Sequence, residues 1–136
     1  MLKVISFGEA LVDMLSNRVS ENRSSETEQF TKYPGGAPAN VAAAVGKLGG
    51  NSYMAGKVGT DMFGQFMRQS LVEAGVKTDY LLETDSANTA LALVSLAAAG
   101  ARWVVWPEAR YKGYFDHQSV RQAYADQVLA MGADLL

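Results

Sequence analysis

Pro34-Gly35-Gly36-Ala37-Pro38-Ala39-Asn40, followed by the small-residue run 41–49, is the stretch that decides the fold. Two glycines leave the backbone open where another group must come close. Pro38 stands where a helix can begin, because its missing N–H would have no intrahelical partner there. From that point Val41, Ala44, Val45 and Leu48 fall on one helical face, and Gly49-Gly50 ends the run. A glycine pair opening onto a helix N-terminus presents unpaired N–H groups and the positive end of a macrodipole. Polar or anionic groups bind well in such a place. The same spacing also suits a tight turn whose glycines merely let a helix pack on a sheet.

Composition sets the frame around this stretch. The chain has 136 residues, enough for one domain with a real core. Hydrophobic residues make up 49% and charged residues 19%, which points to a globular chain and not to a disordered one. The formal net charge of -2, with no basic stripe, gives no reason to expect nucleic acid. The absence of cysteine excludes disulfides and thiolate metal sites, and fits a cytoplasmic location. No signal peptide is visible in Met1-Leu2-Lys3, and no apolar run approaches membrane-spanning length, so no membrane partner is expected.

Before the glycine pair, residues 3–7 have a buried-strand pattern that ends at Gly8. Residues 11–15 continue with one acid, Asp13, among apolar neighbours. A carboxylate there is costly to bury unless paired, so it either points to water or faces a polar ligand at a strand end. Residues 17–27 are polar and read as a loop, and 30–33 as an edge strand. After the glycine pair, residues 52–58 read as a strand. Thr60 or Asp61 then caps a helix with the stripe Phe63, Phe66, Met67, Leu71 and Ala74, closed by Gly75. Asp61 suits a helix cap better than a ligand contact. This strand–helix–strand–helix order argues for a parallel α/β sheet.

Further on, residues 76–82 and 89–96 are strand candidates separated by a polar turn at 83–88. Gly100 makes 90–96 and 102–106 a hairpin. Trp103 and Trp106, three apart, face opposite sides of a strand, which invites a covering partner or leaves a hydrophobic edge. Beyond Pro107, Ser119 and Gln122 have capping-box spacing before a helix with Val120, Ala123, Tyr124, Val128 and Met131 on one face. His117, without a second histidine or any cysteine nearby, is not expected to hold a metal.

Taken together, three separated motifs resemble the N-terminal signature of the ribokinase-like (PfkB) carbohydrate kinases. They are Gly35-Gly36-Ala37-Pro38-Ala39-Asn40-Val41-Ala42, Lys47-Leu48-Gly49, and Gly56-Lys57-Val58-Gly59-Thr60-Asp61-Met62-Phe63-Gly64. Gly8-Glu9 with Val12-Asp13 is similar to that family's opening strand, and 89–96 to its lid-proximal strand, closest in flavour to fructokinases. The resemblance implies an α/β three-layer sandwich with a mostly parallel sheet and a small β lid. It implies one truncated domain over 1–136, with lid strands near 11–16, 29–34 and 89–106 and a divergent tail at 107–136. It also implies an ATP- and magnesium-dependent kinase that phosphorylates a sugar hydroxyl, often dimeric through the lid; an open sheet with an exposed edge would by its topology also invite association.

Carried over residue by residue, Asp13 would accept hydrogen bonds from sugar hydroxyls, Gly35 and Gly36 would admit the sugar to the backbone, and Asn40 would bond another hydroxyl. The family's catalytic aspartate sits in a Gly-Ala-Gly-Asp segment that these residues do not contain. No catalytic residue is therefore assigned, the chain alone is expected to be inactive, and neither ATP nor magnesium is expected to bind it well. The alternative is a non-catalytic, self-associating scaffold module derived from the same fold.

Overall fold

The computed structural model describes residues 2–19, 29–97 and 100–105, arranged in two sheets and two helices. The first sheet is built on β4 (Asn51–Gly59). It pairs in parallel with β1 (Lys3–Phe7) on one side, and with β5 (Val76–Lys77) and β6 (Leu81–Thr84) on the other. The second sheet has the order β3 (Phe30–Gly35), β2 (Leu11–Val19), β7 (Leu91–Ala97), β8 (Gly100–Val105). β2 runs antiparallel to β3 and parallel to β7, and β7–β8 is the hairpin expected around Gly100.

Helices α1 (Ala37–Lys47) and α2 (Met62–Glu73) fill the connections after β3 and β4. One core joins them to the first sheet: Ala39 and Ala42 from α1, Met67 and Leu71 from α2, and Met54, Val58, Val76 and Leu81 from the strands. Val12 belongs to the same core with Met14 packed against it, so one face of the second sheet looks toward the helices. On that face Lys32 Nζ lies 4.6 Å over the Phe66 ring of α2. Alternation along a strand puts Leu11, Asp13 and Leu15 on the opposite face.

Three sequence expectations need correction. Helix α1 does not bury the face Val41–Ala44–Val45–Leu48: Val41 is 54% exposed, Leu48 is 88% exposed, and Ala39 and Ala42 are the buried positions. The reason is the closeness of the packing. A Cβ on Gly46 would fall on the carbonyl oxygen of Ala74, and Ser52 Oγ donates to the Ala42 carbonyl at 2.8 Å, so only small residues fit. The helix is tuned by size, and hydrophobic spacing misread its orientation. Second, residues 76–82 are two short strands and not one, because residues 79–80 turn and Leu81 N–H bonds the Thr78 carbonyl. Third, β2 extends to Val19, so residues 17–19, expected as part of a polar loop, are strand. In that extension Asn17 N–H donates to the Gln29 carbonyl, and Thr31 Oγ1 bonds Asn17 Oδ1. Trp106, His117 and the helix expected after Ser119 lie outside the described residues.

Candidate functional site

The end of β3, the start of β2 and the first turn of α1 meet at the glycine pair. The β2–β3 register pairs Leu11 with Gly35 and Asp13 with Tyr33. Residues paired across strands share a face, so Asp13, Tyr33, Leu11 and Gly35 stand together on the face turned away from Val12. The Asp13 carboxylate leans along this face onto Gly35. A Cβ there would fall on Oδ2 and lie 2.7 Å from Cγ, so a larger residue would push the carboxylate out of this position.

Gly36 is the N-cap of α1, with φ 96, a region that side chains rarely adopt. A Cβ on it would also lie 2.6 Å from the Glu9 carbonyl oxygen. The two glycines thus do different work. Gly35 makes space for a carboxylate, and Gly36 turns the chain into the helix against the β1–β2 connection. No side chain caps α1, and its first turn carries no acid. Pro38 lies in that turn against Gly8, and the Asn40 N–H closes the first helical bond to the Gly36 carbonyl at 2.9 Å. The Asn40 side chain is exposed. Asp13, Gly35, Gly36 and Asn40 are therefore gathered at one junction of β2, β3 and α1.

Asp13 is half-buried, and among the described residues no cation or hydrogen-bond donor meets its carboxylate. Burial raises its pKa above the ordinary carboxylate value. Such an acid is a hydrogen-bond acceptor held ready beside a glycine backbone and a helix N-terminus. Its surroundings suit a neutral, many-hydroxyl ligand, since hydroxyls can donate to a carboxylate and accept from N–H groups.

Asp61, by contrast, is committed to the fold. It is the N-cap of α2, with Oδ1 accepting from the N–H groups of Phe63 (2.9 Å) and Gly64 (3.0 Å). Its Oδ2 accepts the Thr89 N–H at 2.7 Å. Burial pushes its pKa upward, but these bonds and the Thr89 hydroxyl outweigh burial and hold it below the ordinary value. Sequence reasoning missed two neighbours of these acids. Tyr33 is invisible as a site residue until the strand register sets it opposite Asp13, and Thr89 reads only as the start of a strand. No group of three or more His, Cys, Asp or Glu side chains suited to a metal occurs among the described residues.

A parallel α/β sheet flanked by a small second sheet, joined at a glycine pair, defines the ribokinase-like class of sugar kinases. The putative ribokinase II of E. coli superposes on the chain with a TM-score of 0.74 at 24% identity, over 83% of this chain and 37% of that one, and so shares the fold. The pfkB family carbohydrate kinase model matches residues 1–131, and the chain belongs to that family. Fructokinase-2 of Oryza sativa subsp. japonica is 46% identical over 99 residues, which are 73% of this chain and 29% of that protein. The fructokinase of Xylella fastidiosa, solved with bound ATP, is 41% identical with a TM-score of 0.70, covering 79% of this chain and 33% of that one. The chain spans about 30% of the length of the curated relatives it matches.

Proposed function

We propose that these residues form the sugar-binding part of a fructokinase-like carbohydrate kinase, whose reaction transfers a phosphoryl group from ATP, with magnesium, to a sugar hydroxyl. The observation that carries this reading is the Asp13 carboxylate lying against Gly35, beside the uncapped start of α1. In this reading Asp13 accepts hydrogen bonds from two neighbouring sugar hydroxyls. Gly35 and Gly36 let the ring reach the backbone, and Asn40 bonds a further hydroxyl from the first turn. A carboxylate and an amide on rigid elements discriminate between sugars, because an analogue lacking a hydroxyl leaves one of them without its partner once the ligand covers it. The second sheet acts as a lid over the sugar.

Phosphoryl transfer depends on groups that position and neutralise the moving phosphate. Residues 1–136 hold neither a Gly-Ala-Gly-Asp segment nor a Gly-Lys-Ser/Thr phosphate loop. The proposed division of labour is that this part selects and holds the sugar, while the nucleotide and the catalytic base belong to other residues of the family's fold. The chain by itself should accordingly release no ADP above background in a coupled assay with fructose; sugar-dependent turnover would refute that division.

The test of the sugar site is a residue-resolved titration. Addition of fructose to labelled protein should move the amide resonances of Asp13, Gly35, Gly36 and Asn40 together and saturably. Glucitol, an open-chain polyol, should move them less. Shifts confined to other surfaces, or none at tens of millimolar sugar, would remove the assignment.

A further inference from the structure

An N-cap needs one side-chain oxygen, yet Asp61 uses both. While Oδ1 caps α2, Oδ2 accepts the N–H of Thr89, the residue that leads into β7. Thr89 is buried, and its Oγ1 accepts the N–H of Gly59 at the end of β4 at 2.9 Å. The corner has no slack: a Cβ on Gly59 would lie 2.8 Å from both the Ala87 carbonyl oxygen and the Thr89 nitrogen. The Asp61 carboxylate therefore ties the start of α2 to the entry of β7, and the Thr89 hydroxyl ties that entry to the end of β4.

The path continues to the candidate site. The carbonyl of Ala90, next to Thr89, accepts the N–H of Val12 at 3.0 Å, and Val12 is joined to Asp13. Asp13 then pairs with Ala92 in the β2–β7 ladder. Residues 85–90 lie outside the strands, so apart from the Val12–Ala90 bond the ladder holds β7 only from Leu91 onward. A strand whose entry point is loose can slip in register, and a slip of one residue reverses its faces. Pinning Thr89 removes that freedom two residues before the strand starts.

We propose that Asp61 is a positioning residue for the sugar site: its second oxygen brackets the second sheet to the start of α2 and so holds Val12–Asp13 in place over Gly35. The functional half of this inference rests on the sugar-site reading above; the bracket itself does not.

The two roles of Asp61 can be separated by one substitution. Asparagine caps helices about as well as aspartate. In Asp61→Asn, the remaining Oδ1 keeps the bonds from Phe63 and Gly64, but an amide NH2 now faces the Thr89 N–H, donor against donor. Site-resolved hydrogen exchange on the intact chain should show the amides of Thr89 and Val12 and the β2–β7 ladder exchanging roughly tenfold faster or more, with α2 amides such as Met67 and Leu71 unchanged. The fructose dissociation constant should rise by about tenfold, the size expected for one charge-assisted bond. Asp61→Ser, which caps with a hydroxyl too short to reach Thr89 as well, should repeat the pattern and serves if the asparagine variant folds poorly.

Unchanged exchange at Thr89 and Val12, or an equal loss of protection in α2 and the second sheet, would overturn the bracket. Selective loosening of the second sheet with no change in fructose affinity would overturn the positioning role. If the unmodified chain binds no fructose, the sugar reading fails, while the exchange pattern still decides whether Asp61 brackets the sheet.

Discussion

Asp13 and Asp61 lie on opposite sides of the same electrostatic rule. Asp61 is surrounded by donors and held below its ordinary pKa, so the folded state favours its ionised form. Its stabilisation is fully present above the unfolded value near 3.8 and is lost as pH falls through the lower folded value. Asp13 is raised by burial alone, so the folded state favours its protonated form. Stability then falls as pH rises from about 3.8 through the raised folded value, and the cost persists above it. Two outcomes follow for urea midpoints. Asp61→Ala should lower the midpoint at pH 7, at a cost of about 0.5–2 kcal/mol for a lost cap, and the loss should shrink well below pH 3.8. Asp13→Asn should raise the midpoint at pH 7, with the gain disappearing below pH 3.8. A functional site often keeps such a costly group because its ligand needs it. If Asp13→Asn destabilised the chain at pH 7, the carboxylate would have a structural partner and the proposed role would be wrong.

At the scale of elements, the order of strands and helices was legible because each has its own signal. An apolar run broken by one acid marks β2, the capping Asp61 marks the start of α2, and Gly35-Gly36 marks the β3–α1 junction. The orientation of α1 was not legible, since its buried side is set by how closely it approaches Ala74 and β4, which is a matter of size. That closeness gives a direct prediction: Gly46→Ala should cost about 1–3 kcal/mol in thermal or urea unfolding, because its methyl must displace the Ala74 carbonyl. A neutral result would mean that α1 sits further from its neighbours. The division of 76–82 into β5 and β6 was also hidden, since Val76 and Leu81 are both buried ends of short strands with an ordinary turn between them. Arg68 of α2 reinforces that turn, donating to the Thr78 carbonyl at 3.0 Å and to Glu83 at 2.9 Å, contacts no local pattern foretells. The residues proposed for the site could be named from sequence, but their mutual geometry could not. Sequence named Asp13, Gly35, Gly36 and Asn40, whereas the leaning of the carboxylate onto Gly35 and the placement of Tyr33 opposite it depend on strand register.

For the molecule as a whole, the described residues leave β1 at the end of its sheet, with Phe7 48% exposed on it. The proposed sugar site depends on one carboxylate lying over one glycine. The most direct test is calorimetric titration of the chain with fructose and with ribose, repeated on Asp13→Ala. Fructose should give saturable heat, and the substitution should weaken the fitted affinity at least about tenfold, the weight of a hydrogen bond to a charged group. Heat that survives the loss of Asp13 unchanged, or no heat from the intact chain at millimolar sugar, would contradict it.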